Sequence, residues 1–265
     1  MQASPGQVPA MEVTGLTVKF PIRSGVFGSV KNYFTAVDNV DFILEQGKIL
    51  SIVGESGCGK STLVKSLVGL VPMWSGEFKL FGQPVKRNQS IADSVQMIFQ
   101  DPFSSLNPRQ TVVEILTAPV VARGIPFEEA RRRAEKLLDR VSIPAGALDR
   151  FPHEFSGGQR QRLCIARSLM VKPRVLLCDE VTSALDVSVQ AQILHLLDDL
   201  RHDLGLSIIF ISHDMQVVRA LSDDVLVMYF GHIVERGMAD SVLTNPQHEY
   251  TRKLLASVPV IHRDR

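Results

Sequence analysis

The sequence is short of cysteine, of net charge and of long apolar runs. Its 265 residues hold three cysteines, Cys58, Cys164 and Cys178, far apart, with no CxxC pair and no Cys/His metal spacing. Disulfide frameworks suit small secreted domains, so an odd, scattered count fits a reducing cytoplasm and leaves no structural metal to expect. Lys and Arg number 29 against 28 Asp and Glu, a formal net charge of +1. That argues against a dedicated nucleic-acid binder, whose footprint is a strongly basic face. No apolar stretch approaches the roughly 20 residues that span a bilayer. The best uncharged run, Ser66 to Gly76, is far too short. The opening MQASPGQVPAM has neither a positive n-region nor an apolar h-region, so it does not read as a secretory signal. There is no internal repeat and no low-complexity tract.

What is present is an ordinary globular composition, 45% hydrophobic and 22% charged, long enough for one large domain or two small ones. Residues 1–10 read as a loose tail rich in Pro, Gly, Gln and Ser. β-type runs follow at Glu12–Phe20 and Val37–Leu44, and KILSIV (Lys48–Val53) is a buried-strand candidate that stops at a glycine-rich turn. STLVKSLVGL, Ser61 to Leu70, reads as a helix. Further on, Phe127, Ala130, Ala134, Leu137, Leu138 and Val141 recur at helical spacing, with charges opposite, inside a proline-punctuated stretch. That stretch, about 104–164, is expected to be an inserted helical subdomain. VLLCD (Val175–Asp179) and SIIFIS (Ser207–Ser212) suit strands covered on both faces. Between them Val189, Ile193, Leu196, Leu197, Leu200 and Leu204 mark a helix, which completes a βαβ unit. The expected class is α/β with a helical insert.

GESGCGKST, Gly54 to Thr62, satisfies G-x4-G-K-[ST] and lies between a strand and a helix, the context the motif requires. Its glycines let successive N–H groups of Gly54, Glu55, Ser56, Gly57, Cys58 and Gly59 converge on one anion, and the helix N-terminus adds partial positive charge. Lys60 would place an ammonium between the β- and γ-phosphates, and the Ser61 hydroxyl would ligate Mg²⁺. Cys58, at a helix N-terminus, is expected to favour the thiolate, so that alkylation would block nucleotide binding; a buried inert thiol is the competing reading. Asp179 ends an apolar strand, where its carboxylate would meet Mg²⁺ through water. Glu180, next in the chain, is the natural general base for an attacking water. His213 directly follows the next apolar strand, so a parallel sheet would put it at the same edge as Gly54 and Asp179. A GTPase would need a guanine-reading Asn-Lys-x-Asp segment, and none occurs. Nor is there a signal for the lid and acceptor pocket of a small-molecule kinase. The residues point to an NTPase that uses ATP.

FSGGQRQR, Phe155 to Arg162, is a second glycine-opened helix start, with Ser156 as N-cap and the N–H groups of Gly157 and Gly158 accessible. One nucleotide has no obvious use for two cradles from one chain. A composite site, with one cradle from each of two subunits, uses both.

With these elements in order, the chain resembles the ATP-binding subunit of an ATP-binding cassette (ABC) transporter. The matching segments are GESGCGKST, IFQDP with Gln100, FSGGQ, VLLCDE, SALD with Asp186 and ISHD with His213. The resemblance spans about residues 12–237 and implies a cassette over 11–237 followed by a C-terminal helical tail, 238–265. It implies a RecA-like core, an antiparallel β-subdomain, and a head-to-tail ATP sandwich. In that sandwich Ser156, Gly157, Gly158 and Gln159 contact the partner's γ-phosphate. It also implies that Gln100 senses Mg²⁺ and the γ-phosphate and couples hydrolysis to membrane subunits. Phe155 stands where the family usually has Leu, Val181 where it often has Pro, and Cys178 replaces an aliphatic residue. None of these removes a catalytic group. Phe20 sits where the family's adenine-stacking aromatic usually falls, with Phe27 and Tyr33 as competitors.

SLNPRQTV, SALDVSVQAQIL, VLVMYFGHIVERG and NPQHEYTRKLLASVP resemble the peptide/nickel importer branch. The segment between Phe20 and Val37 looks like one of its two non-identical ATPase subunits, the type labelled F. The resemblance implies a sibling ATPase or a second copy, two transmembrane permease subunits, an extracytoplasmic solute-binding protein, and a place at the cytoplasmic face of the membrane. The iron–sulfur cysteine cluster of many relatives is absent, since no cysteine follows Cys178. In the tail, Tyr250, Leu254 and Leu255 read equally as an amphipathic helix that docks. A soluble cassette ATPase of DNA repair or translation would carry two cassettes or a long coiled-coil insertion. An exporter motor usually has fused membrane helices. Neither feature occurs here.

Overall fold

The structure is a computed structural model that describes residues 8–24, 29–86 and 89–256. Phe27, most of the N-terminal tail and the last nine residues of the C-terminal tail lie outside the described residues. The chain divides into two compact units, Met1–Gln89 with Ser207–Arg265, and Ser90–Leu206.

The first unit opens with strands β1 (Met11–Ser24) and β2 (Ser29–Leu44). Strand β3 (Ile49–Val53), helix α1 (Lys60–Leu67), and strands β4 (Ser75–Leu80) and β5 (Gln83–Pro84) follow. Strands β1 and β2 run past the predicted Glu12–Phe20 and Val37–Leu44, because their ladder continues through Phe20–Phe34 and Ile22–Asn32. Ile22, Val30 and Phe34 in that extension are exposed. Cross-strand hydrogen bonds and side-chain pairs hold it instead of burial, so no core-facing alternation marks it in the sequence. Strands β2, β1, β4 and β5 form an antiparallel sheet in that order.

The second unit holds β6 (Val95–Ile98), α2 (Pro102–Ser105), α3 (Val112–Val121), α4 (Phe127–Arg140), α5 (Gly157–Leu169), β7 (Val175–Asp179) and α6 (Val187–Leu204). Strands β6 and β7 pair in parallel, Ile98 opposite Cys178. The α4 periodicity is realised on Ala130, Ala134, Leu138 and Val141, all buried, whereas Phe127 at the first turn is exposed. In α6, Ile193, Leu196, Leu197 and Leu200 are buried and Leu204 is not.

The chain then returns to the first unit with β8 (Ser207–Ile211), α7 (Met215–Leu221), β9 (Asp224–Tyr229), β10 (His232–Met238), α8 (Ala239–Thr244) and α9 (Glu249–Ala256). Within this unit the strands lie side by side as β10, β9, β3, β8. Strand β3 is parallel to β8 and to β9, and β9 and β10 form an antiparallel hairpin. Every residue of β3 and β8 is buried, as the uninterrupted apolar runs predict. Among the described residues no helix is long and apolar enough to cross a membrane.

Helix α1 ends at Leu67, three residues before the predicted Leu70. Gly69 takes φ +75°, and the N–H groups of Gly69 and Leu70 turn back onto the carbonyls of Ser66 and Lys65. That pair of bonds is the Schellman closure, which only a residue at ease in the left-handed region permits.

The unequal burial along α4 is testable. Leu138→Ala, at a fully buried position, is expected to cost about 2–5 kcal/mol. Phe127→Ala should stay within about 1 kcal/mol, as exposed sites do. Urea unfolding monitored by circular dichroism checks both, and equal losses would contradict the packing described.

Candidate functional site

Strand β3 delivers the chain into the loop Gly54–Gly59, and α1 starts at Lys60. Gly54, Gly57 and Gly59 have φ of +149°, +80° and +112°. A side chain at Gly54 would overlap the Met228 carbonyl, and one at Gly59 the Ala36 carbonyl. The loop is therefore pressed against the main chains of β9 and β2. Gly59 has both reasons to be glycine: a left-handed backbone and no room for a Cβ. Lys60 is buried, and its ammonium donates to the carbonyls of Gly54 at 2.7 Å and Glu55 at 2.9 Å. Ser61 and Thr62 occupy the first turn of α1. A curled loop, a helix N-terminus and a buried cation make a cradle whose charge is opposite to that of a polyphosphate.

The expectation for Cys58 is overturned. The side chain is buried, and burial pushes the thiol above its ordinary range although the Lys60 ammonium, 3.8 Å from Sγ, pulls the other way. The helix N-terminus does not outweigh lost hydration. Burial likewise pushes Cys164 up to about 11 and Cys178 up to about 12.

In the same unit, the β3–β8 register sets Ile52 opposite Ile211. Gly54 and His213 therefore leave the sheet at one edge. His213 is exposed, and the next residue, Asp214, caps α7 through the Gln216 N–H at 2.8 Å. On the β1–β2 ladder Phe20 is half-exposed opposite Phe34, two residues from the Ala36 carbonyl that abuts Gly59. Tyr33 packs on Trp74, ring centroids 4.8 Å apart, and the Lys19 ammonium lies 5.1 Å from the Trp74 ring. Phe34 is an aromatic that the sequence reading did not single out. Its signal was the ladder register, which no short window of sequence contains.

In the second unit Asp179 is buried at the end of β7. Glu180 follows with φ +48°, a left-handed conformation that a non-glycine residue holds at a cost of roughly 1–2 kcal/mol. The Gln100 amide donates to its carboxylate at 2.9 Å, so these two predicted residues are brought together. Ser156 caps α5 in a reciprocal box with Gln159: each accepts the other's main-chain N–H, at 3.3 and 3.0 Å. Gly158 is buried with no room for a Cβ beside Val189, and Phe155 is buried. Asp186 caps α6 by accepting the Val189 N–H at 2.9 Å, and that bond, with one from Ser188, holds its carboxyl below the usual aspartate range.

Two loop contacts were not anticipated. The Gly231 N–H donates to the Cys58 carbonyl at 2.9 Å, and the Glu55 N–H donates to the Tyr250 hydroxyl at 2.9 Å.

A strand that runs through a glycine-rich loop into a helix opening on a buried lysine is the arrangement of a P-loop NTPase. Comparison with known proteins narrows the class. Residues 37–183 match the family described as ABC transporter. The chain belongs to the ABC transporter family. The glutathione import ATP-binding protein GsiA of Escherichia coli (strain K12) is 47% identical over 263 residues, 97% of this chain and 42% of that protein. The protein of the same name from Salmonella typhimurium (strain LT2) is 48% identical over 258 residues, 95% of this chain and 41% of that one. The chain thus spans about two fifths of the length of these relatives.

Among solved structures, cbiO1 from Clostridium perfringens, part of the ABC transporter complex cbiONQ, superposes with a TM-score of 0.77 at 28% identity. That match covers 96% of this chain and 97% of the other. The ATP-binding cassette MJ0796, described as dimeric in a post-hydrolysis state with ADP and Pi, gives 0.74 at 25% identity over 86% and 98%. The expected fold class holds: an ABC cassette of mixed α/β type, with an antiparallel sheet beside parallel strands.

Thiol chemistry checks the site's electrostatics. At pH 7.5 none of the three buried cysteines should react with Ellman's reagent within minutes, and all three should react in guanidinium. Fast labelling of Cys58 in the native protein would mean that its thiolate is accessible after all.

Proposed function

We propose that the chain is the ATP-hydrolysing subunit of an importer for glutathione or related short peptides. The observation that carries this reading is 47–48% identity, across 95–97% of the chain, to relatives named as glutathione import ATP-binding proteins. It works at the cytoplasmic face of a membrane with two permease subunits, and an extracytoplasmic solute-binding protein delivers the cargo. Nickel or opine uptake, export, and a soluble role have no comparable support. Assignment to the F-type subunit has none either.

The Gly54–Thr62 cradle holds the triphosphate, with Lys60 on its β- and γ-phosphates. The adenine lies against Phe20, supported by that ring's exposure and by its pairing with the strand whose Ala36 carbonyl abuts Gly59. Ser61, Asp179 and Gln100 supply the hard oxygen donors that suit Mg²⁺, and the ion when bound offsets charge on the phosphate oxygens. Glu180 takes the proton of the attacking water, its carboxylate steered by the Gln100 amide. His213 donates to the γ-phosphate. Ser156, Gly157, Gly158 and Gln159 present the start of α5 to the nucleotide of a second cassette, a sibling or another copy, with Asp186 at the seam. ATP binding closes that pair and hydrolysis opens it, which gates the permease.

Glu180→Gln separates binding from chemistry. The variant should bind MgATP as the wild type does, with hydrolysis slower by ~10²-fold or more, as loss of a general base predicts. It should also form a dimer with MgATP by light scattering, or pair inside the assembled complex. Undiminished turnover would remove Glu180 from its role. In vesicles reconstituted with the permease subunits and binding protein, ATP-dependent glutathione uptake is expected, and uptake of neither glutathione nor peptides would overturn the importer reading.

A further inference from the structure

Helix α9 lies nearly 200 residues beyond the phosphate loop in sequence, yet one of its side chains bonds to that loop. The Tyr250 hydroxyl accepts the Glu55 N–H at 2.9 Å. Tyr250 is buried, and its ring lies 4.1 Å from that of Tyr229 between centroids. It belongs to an apolar cluster with Val53, the last residue of β3 before the loop, and with Val227 and Leu243. Leu254 and Leu255 of α9 pack against the same cluster. The start of α9 is fastened separately, because the Glu235 carboxylate of β10 accepts the N–H groups of Gln247 at 2.7 Å and His248 at 3.0 Å.

The phenol therefore reaches the loop from a fixed support. Together with the Gly231 N–H on the Cys58 carbonyl, it ties down two main-chain groups of the loop. Every N–H a loop spends on such a tie fixes the direction of its neighbours, and an anion cradle works only if those neighbours already point inward.

We propose that Tyr250 is a positioning residue of the phosphate loop, through which docking of α9 and nucleotide binding reinforce one another. This rests on the reading that Gly54–Thr62 binds MgATP. Removal of the hydroxyl leaves the Glu55 N–H without its acceptor and lets the start of the loop swing, while the ring still fills its place on Tyr229. Linkage then requires the converse: whatever factor docked α9 adds to nucleotide affinity, nucleotide adds to the docking of α9.

The test uses the full chain, Tyr250→Phe, and MgATP as the probe. The variant should bind MgATP about 3- to 10-fold more weakly, the range set by orphaning one partly buried donor. Its kcat should stay within about twofold, and its unfolding midpoint without nucleotide within about 2 °C. In the wild type, MgATP should slow hydrogen exchange of the α9 amides, and in the variant that slowing should vanish. The exchange measurement needs no substitution and stands if a variant folds poorly. Equal affinities in the two proteins, or α9 exchange indifferent to MgATP in the wild type, overturns the proposal, and in the second case an affinity loss with a lowered midpoint is mere destabilisation. A wild-type chain that fails to bind MgATP overturns the phosphate-loop reading itself, and this proposal with it.

Discussion

The constraint on which the first unit turns is the close approach of main chain to main chain around the phosphate loop. Gly54 and Gly59 stand where the carbonyls of Met228 and Ala36 leave no space for a side chain. The loop therefore cannot relax outward into the unit that supports it. Lys60 is buried, and its ammonium is hydrogen-bonded to the loop's own carbonyls. A buried cation is costly unless paired or well hydrogen-bonded. The loop's carbonyls hold it in place, and an arriving polyphosphate would exchange dipoles for full negative charges. Burial and preorganisation thus serve the same end, since the cost of arranging the groups is met during folding and not at each binding event.

In the second unit the residues that bear the motifs also build local structure. Ser156 and Gln159 close the N-terminus of α5 on one another, and Asp186 closes that of α6. These side chains occupy orphan N–H groups that every helix start must satisfy. A substitution there would disturb a helix terminus as well as any contact to nucleotide. Loss of activity at Ser156 or Asp186 is for that reason weak evidence of direct phosphate contact. Glu180 is different. Its side chain caps no helix, and its left-handed backbone opens a turn in which the Ser183 N–H and hydroxyl both donate to the Glu180 carbonyl.

Where the architecture was legible, a short window contained the cause. The apolar runs of β3, β7 and β8 and the 3.6-residue rhythm of α4 and α6 report burial directly, and the glycine–lysine spacing reports a curled loop with a helix behind it. Where the reading fell short, the cause was distant or environmental. The end of α1 was set by Gly69, a glycine read as part of the helix although its position suits a C-cap. The extended β1–β2 ladder is held by register and not by alternation. Cys58 was judged from its place at a helix N-terminus, whereas its ionisation is decided by burial, which depends on the packing of the loop. The Tyr250 hydroxyl was invisible for the same reason: the sequence marks a tail helix with an apolar stripe but not which main-chain N–H its tyrosine meets.

The two halves of the chemistry also differ in mechanical character. The cradle is pinned by main-chain contacts at Gly54 and Gly59 and by the buried Lys60, while Glu55, Ser56 and Gly57 between them are exposed. Of the pair proposed for hydrolysis, Gln100 is exposed and Glu180 partly buried, and a side-chain bond joins them, with Glu180 in the left-handed region. A motor gains from this asymmetry. If the binding half were loose, affinity would be spent on ordering it. If the hydrolytic pair were locked, water would be activated whether or not a second cassette had closed. Under the proposed function, a pinned receptor lets binding come first, and the hydrolytic pair completes its geometry when a second cassette closes.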